Sequence, residues 1–373
     1  MRVLIDATAV PADRGGVGRY VDELVPELDR AGTDLVLVVQ ARDVAHYRAL
    51  APGARVVAAP APVARRPVRL LWEQVALPRL ARRVRADVVH SPHYTMPLAA
   101  RTPVVVTLHD ATFFSDPGLH LRTKAVFFRT WTRLAVRRAA GLVVPSRATR
   151  AEVVAATGAP ADRMTVAYHG VDTARFHPVD AAERARVRAT LDVGDRPYVG
   201  FLGTLEPRKN VPALVRGWVR ACEGLTDPPA LVLAGARGWD DAVDAALAEV
   251  PGHLTVRVPG YLPLDDLPGF LAGASVLAYP SLGEGFGLPV LEAMACGATV
   301  LTTERLSLPE VGGDAVAYCG TGADAIAAAL RDLLDDPARR SALAAAAVQR
   351  AAGFTWAEAA RVHLEAYRRA ARA

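Results

Sequence analysis

The stretch Glu284-Gly285-Phe286-Gly287-Leu288-Pro289-Val290-Leu291-Glu292 joins what reads as a buried strand to the start of a helix. Upstream, Leu277-Ala278-Tyr279-Pro280-Ser281 is an apolar run that leaves the strand through a proline. Downstream, Pro289-Val290-Leu291-Glu292-Ala293-Met294-Ala295 has helical composition, and Pro289 suits the first turn, where its missing N–H loses no partner. A strand feeding a helix through a glycine-broken turn is the repeating unit of a parallel α/β fold. The helix start offers backbone N–H groups, at Leu288–Val290, that can hold a phosphate. Helical side chains lean toward the N-terminus, so Glu292 is expected to point back at the same ligand while Glu284 approaches from the loop. Carboxylates accept hydrogen bonds from hydroxyls, and the pair therefore suits a phosphorylated, hydroxyl-rich molecule such as a nucleotide sugar. Taken singly, Glu284 reads equally as a solvated loop residue and Glu292 as a complement to the helix dipole.

The same alternation runs through all 373 residues, a length comfortable for two cores. Apolar runs from Val3–Ile5 to Met164–Ala167 predict strands in the first half, and runs from Tyr198–Leu202 to Ala315–Tyr318 predict them in the second. Helices are expected between them, notably over Val17–Ala31, Val68–Arg83 and Arg122–Ala139. The polar, helix-like segment Asp180–Leu191 and the following Asp192-Val193-Gly194-Asp195-Arg196-Pro197 read as the interdomain linker. Domains are accordingly expected at 1–190 and 191–354, followed by a last helix within 355–373.

With 51% hydrophobic residues the chain is globular rather than disordered. Cys222, Cys296 and Cys319 lie far apart with no C-x-x-C, so they suggest neither a disulfide framework nor a zinc site, and fit a reducing cytosol. Asp6 arrives too early for a signal-peptide core, and no run of roughly 18 apolar residues offers a membrane span. The net charge of +5 divides unevenly: residues 1–190 carry +11 and residues 191–373 carry −6. A basic N-terminal half suits an anionic partner, although an arginine-rich composition can also follow from genome base content.

Open α/β sheets bind ligands at the carboxyl ends of their strands, so the exit loops carry the chemistry. After Tyr198–Leu202 comes Gly203-Thr204-Leu205-Glu206-Pro207-Arg208-Lys209-Asn210, where Gly203 admits close approach and Arg208 with Lys209 offers a donor fork plus a point charge. An isolated Arg-Lys pair is usually just an exposed one. Near the N-terminus, Gly15-Gly16-Val17-Gly18-Arg19-Tyr20 opens a helix after the first strand, a weak phosphate-loop signal when taken alone. Thr107-Leu108-His109-Asp110 closes another strand, and its His-Asp pair reads either as an acid/base device or as a cap. His90 and His93 have metal-like spacing without a third ligand and read as a loop near a second substrate. Ser146 reads as a helix N-cap and Gly170 as a left-handed turn residue. There is no D-x-D, no Walker A and no G-x-S-x-G, which argues against metal-bridged diphosphate sites, P-loop hydrolases and α/β-hydrolases.

Together these blocks resemble the family-4 (group 1) retaining glycosyltransferases, and Glu284 through Glu292 matches their E-x7-E signature. The resemblance spans Gly15 to Asp314 and implies the GT-B fold: two Rossmann-like parallel α/β domains facing a deep interdomain cleft, with the last helix crossing back onto the first domain. It gives Arg208 and Lys209 to the donor diphosphate, Gly16 to a phosphate contact and His109 to the donor sugar. Gly260-Tyr261-Leu262 matches the segment that holds the nucleoside base, and Gly203, Gly285, Phe286, Gly287 and Leu288 shape the donor site. Glu284 would meet the sugar hydroxyls and Glu292 the ribose.

The resemblance therefore implies hexose transfer from a nucleoside-diphosphate sugar to a glycan or lipid-linked acceptor, with Glu284, His109, Lys209 and Arg208 closest to the chemistry. Neither a cofactor nor a metal is expected. The N-terminal loops are most like those of bacterial mannosyltransferases of surface-polysaccharide assembly, which makes GDP-mannose the first donor to expect. A cytoplasmic enzyme at the inner face of the plasma membrane fits, since basic amphipathic helices such as Arg122–Ala139 can lie on anionic lipid. A solvated face fits the same pattern. No stacking motif accompanies the charge, so nucleic acid is not expected. An epimerase or phosphorylase on the same fold, or a silent nucleotide-sugar-binding relative, are the alternatives. A phosphorylase would need a cofactor lysine, and the chain has only Lys124 and Lys209.

Overall fold

The computed structural model describes residues 1–12 and 14–372, and the chain divides into two compact units, Met1–Gly170 with Thr355–Ala373, and Val171–Phe354. The first unit is built on β1 (Arg2–Asp6), β2 (Asp34–Val39), β3 (Arg55–Ala58), β4 (Val88–Ser91), β5 (Val104–Thr107), β6 (Gly141–Val144) and β7 (Met164–Val166). The second is built on β8 (Tyr198–Leu202), β9 (Ala230–Ala234), β10 (Val256–Gly260), β11 (Val276–Tyr279), β12 (Val300–Thr303) and β13 (Ala317–Cys319). Each expected strand forms, within a residue or two at its ends. Parallel strands covered on both faces have no polar side to present, and the fully buried Tyr-Val-Gly-Phe-Leu of β8 shows why the apolar runs were legible.

The orders are β3-β2-β1-β4-β5-β6-β7 and β10-β9-β8-β11-β12-β13, and the strand pairings among the described residues are parallel. Ile5, for example, stands opposite Leu37 on one side and His90 on the other. In each unit the chain builds outward in one direction, then returns to the first strand and builds the other way. This reversal splays the loops at the carboxyl ends of β1 and β4, and likewise of β8 and β11, which is where open sheets receive ligands.

Three local expectations are corrected. The helix expected over Val68–Arg83 is two helices, Arg66–Val75 and Leu77–Arg83, because Pro78 has no N–H for the carbonyl four residues back. The helix-like linker segment forms the helix Ala181–Thr190, capped by Asp180, but it belongs to the second unit rather than lying between units. Its one buried apolar residue, Val187, docks on Gly269, where a Cβ would come within 2.5 Å of Val187 Cγ2. The division therefore falls after Gly170 rather than after residue 190. Gly170 itself is not among the left-handed residues. It is glycine because any Cβ would overlap the backbone of Trp356, where the last helix begins.

That helix, Trp356–Ala370, belongs to the first unit and joins it through a directional hydrogen-bond chain. His363 Nδ1 lies 2.7 Å from the carbonyl of Ala359, which only accepts, so the proton sits on Nδ1 and Nε2 accepts from Tyr20 at 2.7 Å. Tyr20 then accepts from Thr107 at 3.0 Å, Thr107 from His90 Nε2 at 2.9 Å, and His90 Nδ1 from Tyr367 at 2.9 Å. Every member is satisfied only with both imidazoles neutral. His90 is thus a strand residue in the core, not a loop residue near a substrate. Among the described residues, no helix is long and apolar enough to cross a membrane.

Candidate active site

In the second unit the loops leaving β8 and β11 are tied together across the reversal point. Pro207–Lys209 forms a tight helical turn after β8, ended by Asn210 in the left-handed conformation. Leu282 N–H donates to the carbonyl of Arg208 at 2.8 Å, and Arg208 Nη1 donates to the carbonyl of Gly283 at 2.6 Å. Asn210 Nδ2 reaches the carbonyls of Pro280 at 3.3 Å and Thr321 at 2.8 Å. From the next strand, Thr302 and Thr303 donate to the carbonyls of Tyr279 and Ser281, and Ser307 donates to those of Glu284 and Phe286. The carbonyls of Tyr279, Pro280, Ser281, Gly283, Glu284 and Phe286 thus all have donors, which holds the loop in one shape.

These ties gather Arg208, Lys209 and Glu284. Glu284 is 7% exposed and accepts from Lys209 Nζ at 2.6 Å, Ser281 Oγ at 2.7 Å and Tyr279 Oη at 3.0 Å, while its second oxygen meets Arg208 Nη1 at 2.6 Å. Burial alone would raise its pKa, but Arg208, Lys209 and the hydroxyls overcome that and hold it at about 2. Lys209 also bonds to the Tyr279 hydroxyl, and its ammonium lies 4.8 Å from the centre of that ring. Burial and neighbouring Arg208 lower the Lys209 pKa, with Glu284 opposing them. Arg208 pairs in addition with Glu206 at 2.6 Å. Two cations balanced by two carboxylates make a neutral cluster that is dense in donors.

The helix after this loop spans Leu288–Ala295 and starts from Gly287, whose φ of 105° only glycine adopts comfortably. It offers fewer amides than expected: Pro289 has none and Val290 N–H donates to Gly287 O at 3.0 Å, which leaves Leu288 among the three. Gly285 and Phe286 are buried in the loop itself. Glu292 is buried on this helix and, after desolvation, is the next contributor that pushes the Cys296 thiol upward. Gly203 stands at the end of β8. Gly260 closes β10, leaving Tyr261 70% exposed and Leu262 buried.

Gly16 and His109 belong to the first unit. Gly16 starts the helix Gly16–Arg30, and a Cβ on Gly15 or Gly16 would meet nothing within 4 Å. Packing therefore does not demand glycine at either position. His109 follows β5, donates Nε2–H to the carbonyl of Pro92 at 2.6 Å and has its pKa lowered mainly by burial. His93 lines a cavity of that unit together with Gly16. Sequence reasoning missed Glu206, Tyr279 and Ser281 as partners of the charged cluster. The last two were legible only as strand and exit, although their spacing of five and three residues from Glu284 was a usable signal. Among the described residues, no three His, Cys, Asp or Glu side chains gather as for a metal ion.

Residues 14–175 match the family described as Glycosyltransferase Family 4, and residues 183–350 match Glycosyl transferases group 1. Over 283 residues the chain is 31% identical to the O-antigen chain mannosyltransferase B of Escherichia coli, covering 75% of this chain and 74% of that one. It is 29% identical over 363 residues to the GDP-mannose-dependent alpha-(1-6)-phosphatidylinositol monomannoside mannosyltransferase of Mycolicibacterium smegmatis, covering 92% of each. Among solved structures, the Anabaena protein HepE in complex with UDP and glucose superposes with a TM-score of 0.76 at 18% identity over 98% of each chain, a likeness of fold.

Proposed function

This chain belongs to the family-4, group 1 glycosyltransferases and is a nucleotide-sugar-dependent transferase, and from that premise we propose that it moves mannose from GDP-mannose to a hydroxyl of a glycan or lipid-linked acceptor. Two relatives named as mannosyltransferases, one of them GDP-mannose-dependent, support the choice of sugar and base. The observation that carries the mechanism is the buried Arg208–Lys209–Glu284 cluster where the β8 and β11 loops meet.

In this reading the donor diphosphate takes Arg208 and Lys209 as its counter-charges and loosens their hold on Glu284, which turns to the sugar hydroxyls. As the glycosidic bond breaks, negative charge grows on the diphosphate, and fixed cations in a dry site stabilise that charge more than they would in water. The Leu288 amide adds a donor, with Gly203, Gly285, Phe286 and Gly287 shaping the approach. Glu292 takes the ribose hydroxyls, and the backbone at Tyr261 and Leu262 takes the base. Gly16 and His109 are assigned to the donor on the resemblance alone. In this reading the two cations serve the leaving group, and no metal is invoked. No side chain stands out as a nucleophile, so retention by a front-face route, with the leaving phosphate accepting the acceptor proton, is the mechanism proposed. The work is expected at the inner face of the membrane.

Turnover with GDP-mannose, UDP-glucose and related donors, in membrane extracts and in Lys209→Ala and Glu284→Ala variants, tests the proposal. Near-normal turnover in folded variants would overturn the assignment of the cluster, and turnover with another donor alone would overturn that of the sugar.

A further inference from the structure

His109 stands two residues beyond Thr107, the last residue of β5, and Leu108 N–H still pairs with the carbonyl of Val143 at 2.9 Å, so the segment stays extended there. Alternate residues of an extended segment face the same side. Tyr20, from the helix Gly16–Arg30, spans both residues on that side. Its ring meets the His109 imidazole edge to face, with centroids 4.9 Å apart at 81°, and its hydroxyl lies 3.0 Å from Thr107 Oγ1. One fully buried side chain thus touches both the end of the strand and the half-buried imidazole beyond it.

The imidazole needs such a contact. The Pro92 carbonyl, 2.6 Å from Nε2, only accepts, so the proton is on Nε2 and Nδ1 keeps its lone pair. Burial lowers the pKa of the ring, with the Pro92 carbonyl and Asp110 opposing, and the neutral form is the one held. Nδ1 is then an acceptor for a hydroxyl, but its direction is fixed only if the ring cannot turn. One hydrogen bond leaves a ring free to pivot about it. The rings of His93, Tyr94 and His169 stand 5.9, 6.1 and 6.1 Å from that of His109, and Tyr20 is the nearest of the four.

Tyr20 is held in turn. Its hydroxyl donates to His363 Nε2 at 2.7 Å and accepts from Thr107. His363 Nδ1–H is committed to the carbonyl of Ala359 at 2.7 Å, so Nε2 has no proton to offer and the direction is set. His169 lies 5.0 Å from the Tyr20 ring and stacks on Trp356 at 5.4 Å and 22°. The last helix, Trp356–Ala370, therefore reaches His109 through a single intervening side chain. Apolar side chains could seat that helix as firmly. A directional chain of hydrogen bonds adds something else, a single arrangement of the rings.

We infer that Tyr20, locked by His363, is a positioning residue for the transfer: it fixes the ring plane of His109 so that Nδ1 meets a hydroxyl of the donor sugar. The inference rests on the transferase reading, which places His109 at that sugar. The last helix thereby bears on the reaction through a side chain that it does not carry.

A double-variant cycle in the full chain tests this, with turnover at saturating donor in membrane extracts and GDP affinity from calorimetry as the two readouts. GDP-mannose is the donor, or whichever nucleotide sugar the unaltered chain turns over. Tyr20→Phe keeps the ring and removes the hydroxyl, and turnover should fall about tenfold. GDP affinity, which the transferase reading gives to Arg208 and Lys209, should move less than about threefold. His109→Ala should lower turnover further, and adding Tyr20→Phe to it should cost nothing more, because Tyr20 acts through His109. His363→Leu should behave as Tyr20→Phe does. His363→Gln, which can place an oxygen where Nε2 stands, should recover most of the loss. Melting curves identify any variant that fails to fold, and if Tyr20→Phe is one, the two His363 variants carry the test.

Losses that multiply in the double variant Tyr20→Phe, His109→Ala would show that Tyr20 only supports the fold, and would overturn the inference. Normal turnover in folded Tyr20→Phe, or equal loss in His363→Gln and His363→Leu, would do the same. If His109→Ala turns over normally, the assignment of His109 to the sugar falls and the inference falls with it. An unaltered chain that neither binds GDP nor turns over any nucleotide sugar would overturn the transferase reading itself, together with the inference built on it.

Discussion

Lys209 Nζ lies 2.6 Å from Glu284 Oε1, an ion pair between residues 75 positions apart, buried where the loops after β8 and β11 meet. A buried pair of this kind adds little net stability, because desolvation offsets attraction, yet removing one partner costs about 3–5 kcal/mol. Stability alone therefore does not explain why the pair is there, and the proposed diphosphate site gives it a role.

Glu284→Gln keeps the shape and the acceptor for Ser281 while removing the charge that neutralises Arg208 and Lys209. Turnover should fall about 100-fold, near 2.7 kcal/mol of transition-state stabilisation, while GDP binds at least as tightly as before. Calorimetric titration beside steady-state kinetics checks both. Parallel loss of turnover and GDP affinity would show that Glu284 only scaffolds the cations.

Acid should open the two units in order. In the first unit burial holds His93 at about 3 and His363 at about 4, and lowers His90, His109 and His169, all from 6.5. The unfolded chain binds these protons more readily, so their contribution is complete above pH about 6.5 and is lost as pH falls toward the folded values. Glu73 runs the other way, since burial, opposed by Arg69, lifts it to about 7, but it is one group against five. Glu284, held at about 2, loses its contribution only between pH about 4.5 and 2. Hydrogen exchange at pH 5 should find β1, β4 and β5 exchanging faster while β8 and β11 stay protected. Equal loss of protection in both units would refute the order.

Gly170→Ala places a methyl group into the backbone of Trp356. Overpacking against side chains costs about 1–3 kcal/mol, and backbone yields less, so about 3 kcal/mol is expected. For a unit of this size the melting temperature should drop by roughly 6–12 °C. A melting curve unchanged in Gly170→Ala would mean that the last helix is not seated as described.

Strand positions were legible because β8 and β9 are buried on both faces and so are written as unbroken apolar runs. Strand order was not, since hydrophobicity says that a strand is buried but not beside which neighbour. The placement of β8 next to β11 is what turns Arg208-Lys209 and Glu284, two separate motifs, into one cluster. The helix Ala181–Thr190 was legible as helical but misread as a linker, because a single buried valine leaves no stripe to show that it packs on the second unit.

Asn210 separates two contributions that usually travel together. Its backbone is left-handed, φ 58° and ψ 33°, and its side chain bridges the carbonyls of Pro280 and Thr321. Asn210→Ala should cost about 3 kcal/mol, roughly 1 from the backbone and about 1 from each lost hydrogen bond. Asn210→Gly frees the backbone and should cost about 2, so urea unfolding should rank the variants asparagine, glycine, alanine. Turnover should rank them differently. Both variants lose the bridge that holds the Lys209 turn to the β11 exit, so both should fall by a similar factor. Full activity in Asn210→Gly would show that the left-handed turn, and not the bridge, positions Lys209.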